Sequence, residues 1–184
     1  MQQAFSRGMD GLILRPGNIF LNTDTGVSSP MNSNFALLMM RAYIDTGLAP
    51  DLDIVFEAVG VNQLAEAMVS VTLGQTNKTM LNLSNPNEIS LKDYVEMLSE
   101  VTSKQIEIVP FDEWKERAIK PLKEGTPLFP LTLYFQDDTS EELMHFDTTL
   151  TQIELKKHGI YFNEDYKELF SNAFEKTFKD ALGL

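Results

Sequence analysis

Cysteine is absent from the 184 residues, which excludes disulfides, a thiolate nucleophile and any zinc site of the cysteine type. Basic residues are scarce. Fifteen Lys and Arg stand against 27 Asp and Glu, giving a formal net charge of −12 and a pI near 4.5. Nucleic-acid binders need a basic patch to displace counterions, and anionic membrane surfaces attract basic segments. Neither partner suits this chain. No apolar run approaches the roughly 18–20 residues of a membrane span, and no secretory signal opens the sequence. The expected location is cytoplasmic. His145 and His158 are the only histidines; they lie far apart, so a histidine metal site is not expected. Phosphate-binding glycine loops are missing too. Gly8 and Gly11 have the right spacing, but Leu14 takes the third position, and there is no Walker A loop or nucleophile-elbow serine.

What is present is ordinary globular material, 43% hydrophobic and 23% charged, long enough to bury a core. Residues 2–7 read as the last turns of a helix stopped by Gly8, which suggests that a longer chain precedes Met1. A strand over 11–15 follows, then a polar loop over 21–33. Phe35, Leu38, Met39 and Ala42 recur at helical spacing, with Asn or Ser as N-cap and Gly47 as stop. Residues 48–53 read as a turn into a strand over 54–58. Val61 to Leu73 reads as a helix with Leu64, Ala65, Met68, Val69 and Val71 inward. A strand over 79–83 precedes the turn Asn85-Pro86-Asn87. Ser90, with Asp93 three residues on, caps the next helix, and a strand over 105–109 ends at Pro110.

Asp112-Glu113-Trp114 opens a helix with acids in its first turn, ended or kinked by Pro121. Residues 125–142 read as an exposed loop carrying an apolar segment, Leu128 to Phe135. A helix from Thr148 or Thr149 to Lys157 is broken at Gly159. A final amphipathic helix runs from Asn163 to about Ala181, with Tyr166, Leu169, Phe170, Phe174, Phe178 and Leu182 inward. Strands alternating with helices argue for an α/β fold. The acid pairs Asp51/Asp53, Asp112/Glu113 and Asp137/Asp138 read as solvated turn and helix-start residues rather than paired acid and base. His158 reads as a surface residue at a helix end, and His145 as a half-buried packing residue.

The stretch Gly11-Leu12-Ile13-Leu14-Arg15-Pro16-Gly17-Asn18-Ile19-Phe20 is the one cue to a ligand. Gly11 to Leu14 is apolar, as a strand buried on both faces of a parallel sheet should be. Arg15-Pro16-Gly17 then ends it in a turn, the kind of strand end where open α/β sheets bind ligands.

Leu14-Arg15-Pro16-Gly17-Asn18-Ile19, Asn34 to Leu38 and Gly47-Leu48-Ala49-Pro50-Asp51-Leu52-Asp53 together resemble the thioester reductases. So do Leu81 to Pro86 and Val109-Pro110-Phe111-Asp112-Glu113-Trp114. Those are extended short-chain dehydrogenase/reductases found as terminal domains of nonribosomal peptide and polyketide synthases and in carboxylic acid reductases. The resemblance implies the C-terminal portion of an extended Rossmann-type reductase, helix-rich with few short strands and without the N-terminal nucleotide-binding half. Residues 1–20 would be a residual helix end and strand of that sheet, and residues 21–184 a substrate- and carrier-facing subdomain.

The resemblance further implies NADP(H) as cofactor, an acyl or peptidyl carrier protein with a phosphopantetheine-bound substrate as partner, and reduction of the thioester to an aldehyde or alcohol. Pro16, Gly17, Asn18 and Ile19 fall where that family's chain passes the nicotinamide. The family's Tyr-x-x-x-Lys is missing, since none of the five tyrosines has lysine four residues on. Gly60 and Asn62 stand where Pro and Asp are usual. The chain alone is therefore expected to bind NADP(H) weakly and to be inactive. The other expectation is a non-catalytic module of reductase ancestry that binds an acyl carrier or another protein.

Overall fold

The computed structural model describes residues 6–8, 10–28, 34–74, 76–135, 147–162, 165–175 and 179. The elements run β1 (Ile13–Pro16), α1 (Phe35–Thr46), β2 (Leu48–Asp51), β3 (Val55–Phe56), α2 (Val61–Leu73), β4 (Met80–Leu83), β5 (Ile89–Ser90) and α3 (Leu91–Thr102). Then come β6 (Glu107–Pro110), α4 (Phe111–Trp114) continued by a π-helical turn (Lys115–Ile119), α5 (Pro130–Tyr134), α6 (Thr149–Lys156) and α7 (Tyr166–Ala173). The architecture is α/β and helix-rich, with short strands, as the sequence indicates.

Caps explain the helix ends. Asn34 accepts from the Leu37 amide at the start of α1, and Gly47 closes it at φ 67°, a left-handed position where glycine carries no steric cost. Ser90 caps α3 by accepting from the Asp93 amide, and its hydroxyl donates to the Asp93 carboxyl. At α2 the cap is Gly60, which makes no side-chain bond. Glycine is needed there for space, because a Cβ would stand 2.4 Å from Thr23 Cγ2. Asn62 reaches back to hold Thr23, accepting from its amide at 2.9 Å and donating to its hydroxyl at 2.9 Å.

Three two-stranded pairs form. β1 pairs with β4 and β2 with β6, both parallel, while β3 pairs antiparallel with β5. Isolated bridges add Ile19 to Val59 and Leu21 to Ser28. Two apolar clusters fill the interior. The larger gathers α1, α3, α4, α7 and Leu128 and Leu131 around Trp114 and Phe170. The smaller joins α2, β4 and α6 through Leu64, Val71, Leu83 and Leu155, with Leu12 and Leu14 packed on it.

Several expectations are corrected. Leu48-Ala49-Pro50-Asp51 is a strand rather than a turn. Proline is tolerated because, among the described residues, β2 pairs on one edge alone, and the Pro50 nitrogen lies on the edge away from β6 where no donor is needed. The strand expected over 54–58 shrinks to Val55–Phe56. In α2, Leu64, Ala67 and Val71 are buried, whereas Ala65 and Val69 face outward, because the apolar face is set by packing against α6 and β4 rather than by hydrophobicity alone. β1 is only half-buried, and among the described residues no strand pairs with its second edge. The apolar segment Leu128 to Phe135 contains a short helix, and it packs on the larger cluster, away from the β1 leucines. Residues 2–5 of the first helix, His145, Asp137, Asp138, Phe178 and Leu182 lie outside the described residues; residues 6–8 form a turn, with Gly8 at φ 84°. His158 is exposed at the end of α6, its ring against the Gly74 backbone.

Candidate functional site

The turn that ends β1 is held by a buried carboxyl group. Glu57 follows β3 and is 8% exposed. Its Oε1 accepts from the Asn18 amide at 2.8 Å and its Oε2 from the Asn85 amide at 3.2 Å. One side chain thus ties the Pro16–Asn18 turn to the end of β3 and to the Asn85-Pro86-Asn87 turn. Gly17 sits inside this knot. A Cβ there would lie 2.4 Å from Ser84 Oγ and 2.5 and 2.9 Å from the two Glu57 oxygens, which is why the position is glycine.

A second layer holds the knot in place. Asn85 Nδ2 donates to the Ala58 carbonyl at 3.0 Å. The Tyr166 hydroxyl, from α7, donates to the Asn87 carbonyl at 2.5 Å and accepts from the Ala58 amide at 3.3 Å. Burial, reinforced by the nearby Glu57 and Glu88 charges, pushes the Tyr166 hydroxyl up to about 12. Its neutral form therefore belongs to the fold, and the unfolded chain ionises first as pH rises past 10. The contribution of this hydroxyl is expected to be complete below pH 10 and to fall by about 2 kcal/mol as pH rises to 12. Urea unfolding of the wild type and Tyr166→Phe across that range checks this; an alkaline loss of equal size in both proteins would refute it.

The knot borders a cavity of about 620 Å³. Pro16, Gly17, Asn18 and Glu57 line one part of it. The rest is largely apolar and aromatic, with Phe35 and Met39 from α1, Phe56, Tyr94 and Trp114 prominent. Phe56 stacks on Tyr94 with ring centroids 4.6 Å apart. The Tyr94 hydroxyl is buried with no hydrogen-bond partner among the described residues, and its burial raises its pKa well above the usual value. Tyr134 and Phe135, from the segment read as loop, complete the wall by stacking near Phe35.

Three of the four residues singled out from the sequence, Pro16, Gly17 and Asn18, therefore share a cavity. Ile19 does not line it: it is partly exposed, bridges to Val59, and its carbonyl accepts from Asn34 Nδ2. Glu57 was not anticipated. Its signal was there, a single acid inside the apolar run Ile54-Val55-Phe56-Glu57-Ala58, where an unpaired carboxylate is costly unless held. Asp51, Asp53, Asp112 and Glu113 are exposed or half-exposed, as solvated residues should be. Among the described residues no group of His, Asp and Glu is arranged to hold a metal ion.

Short parallel strands, flanking helices and a cavity at a strand end define part of a Rossmann-type α/β fold. The solved structures agree. The terminal reductase domain of the myxalamid polyketide–nonribosomal peptide pathway superposes with a TM-score of 0.86 at 18% identity, over 98% of this chain and 46% of that one. A thiolation-reductase di-domain from an archaeal nonribosomal peptide synthetase gives 0.79 at 21% identity, over 98% and 38%. The RMD protein from Pseudomonas aeruginosa, solved as a complex with NADPH, gives 0.53 at 13% identity, over 95% and 50%.

In sequence, the L-2-aminoadipate reductase large subunit of Eremothecium gossypii is 30% identical over 162 residues, 85% of this chain and 12% of that protein. The corresponding reductase of Saccharomyces cerevisiae is 27% identical over 150 residues, 77% of this chain and 10% of that protein. No protein-family model matches the chain. The chain is thus related to aminoadipate reductase and resembles the terminal reductase domains of peptide and polyketide synthases. It spans 10–12% of these curated relatives and 38–50% of these solved chains.

Proposed function

We propose that this chain is the substrate-facing portion of an NADP(H)-dependent thioester reductase, which releases a carrier-bound acyl or peptidyl group as an aldehyde or alcohol. The observation that carries this reading is the knot at the end of β1. Pro16, Gly17 and Asn18, expected beside the nicotinamide, are clamped by Glu57 at the edge of an apolar cavity. Hydride transfer needs the acyl carbon fixed against the nicotinamide, and a clamped backbone rim beside an apolar cavity provides one wall of such an arrangement. NADP(H) would lie along Pro16–Ile19 and supply the hydride; this chain's residues orient the acyl group and exclude water from it.

In this reading residues 1–20 complete the sheet of a nucleotide-binding half, residues 21–184 face the substrate and the carrier's phosphopantetheine arm, and the protein works in the cytoplasm. Among the described residues, no helix is long and apolar enough to cross a membrane. Incubated with NADPH and an acyl-pantetheine thioester, the chain is expected to show no loss of absorbance at the nicotinamide band. A polypeptide that also carries the nucleotide-binding half is expected to consume NADPH. NADPH binding by the 184-residue chain in the micromolar range would contradict the first part, and an inert longer polypeptide the second.

A further inference from the structure

Charge is distributed unevenly around the cavity. Among the described residues of its wall, Glu57 is the only charged side chain, and there is no lysine, arginine or histidine. The hydrogen bonds Glu57 accepts come from two main-chain amides, one on each oxygen. A carboxylate can accept roughly four, so acceptor capacity remains for a donor that enters the cavity. The remaining wall, with Phe35, Met39, Phe56 and Trp114, suits an apolar or aromatic body.

We propose that the cavity takes an apolar aminoacyl group, whose amino nitrogen donates to Glu57 while its side chain lies among Phe35, Met39, Phe56 and Trp114. This rests on the reading that Pro16–Asn18 face the reacting carbonyl. Glu57 is bonded to the Asn18 amide, so a donor that meets it lies close to that carbonyl. In an aminoacyl thioester the amino nitrogen and the thioester carbonyl are separated by a single carbon, which fits that closeness. An acyl group ending in a free carboxylate is disfavoured, because it would share the cavity with Glu57 and meet no cation.

Trp114 is the single tryptophan, fully buried in the cavity wall, so its emission reads occupancy. The probes are L-phenylalaninamide, 3-phenylpropanamide, which lacks only the amino group, and L-2-aminoadipate. The wild-type chain is expected to bind the first about tenfold more tightly than the second, and the third least. Glu57→Gln should bring the first two within about twofold. Equal affinity of the two amides for the wild type, or tighter binding of aminoadipate, overturns the assignment, and neither comparison depends on the variant folding. Ala36→Phe, which extends a side chain from the cavity wall, should weaken both amides; unchanged binding places them elsewhere and also overturns it. These readouts use no cofactor and no thioester. A missing amine preference therefore refutes the aminoacyl assignment alone, whereas a longer polypeptide that does not consume NADPH refutes the reductase reading alone.

Discussion

Glu57→Ala is expected to lower the unfolding free energy by about 3–4 kcal/mol. The substitution removes the acceptor for the Asn18 and Asn85 amides together. A hydrogen bond to a charged group contributes about 1.5–3 kcal/mol, and a buried donor left unsatisfied costs a comparable amount. The Asn18 amide lies nearer solvent and recovers part of its loss through water; the Asn85 bond is buried. Urea denaturation followed by Trp114 emission measures the effect, and a loss below 1 kcal/mol would mean that the knot is not held by Glu57. A cycle with Gly17→Ala sharpens the test. In the wild type the new Cβ collides with Ser84 Oγ and both Glu57 oxygens. In Glu57→Ala only the Ser84 collision remains, so the two substitutions should cost less together than their sum by about 1 kcal/mol.

Trp114→Ala is expected to cost about 4–5 kcal/mol, the upper part of the range for deleting a buried tryptophan. Trp114 is fully buried and is the centre of an aromatic group. Phe135 meets it edge-on at 5.0 Å, Phe111 stacks at 6.0 Å and Tyr43 lies at 6.3 Å. Its indole N–H also donates to the Leu48 carbonyl at 3.3 Å, fastening α4 to β2. Alanine would leave a large void and take from the Leu48 carbonyl one of its two donors, the other being the Thr46 hydroxyl. Because the substitution removes the fluorescent probe, circular dichroism in urea is the measurement. Trp114→Phe should recover more than half of the loss, since it restores the ring but not the donor. A Phe variant as unstable as the Ala variant would assign the effect to the Leu48 bond rather than to packing.

The helices were legible where the local chemistry is complete. Asn34 and Gly47 bracket α1, Ser90 and Asp93 start α3, and the Val61–Leu73 periodicity gives α2 at its full length. The order of elements and the resemblance to thioester reductases were readable for the same reason, since both rest on short contiguous motifs. β2 was not, because nothing in Leu48-Ala49-Pro50-Asp51 favours a strand until β6 lies beside it. Ala65 and Val69 were assigned inward because apolarity was read without knowing which neighbours α2 would meet. At the site, Pro16, Gly17 and Asn18 were recognisable from their turn, but Glu57, which bonds Asn18, and Tyr166, which bonds Ala58 and Asn87, come from remote parts of the sequence. Only the fold brings those parts together.

The two parallel pairs are interleaved along the chain: β2 lies between β1 and β4, and β4 between β2 and β6. Each pairing closes a loop of about 60 residues or more, and neither closes inside the other, so the contact order is high and folding correspondingly slow. During synthesis β1 leaves the ribosome well before β4 can meet it. Until then its apolar residues and the edge that β4 will cover are open to other chains. Expression at low temperature, or with a chaperone holding β1 until β4 emerges, should therefore raise the yield of folded protein more than any change at the surface.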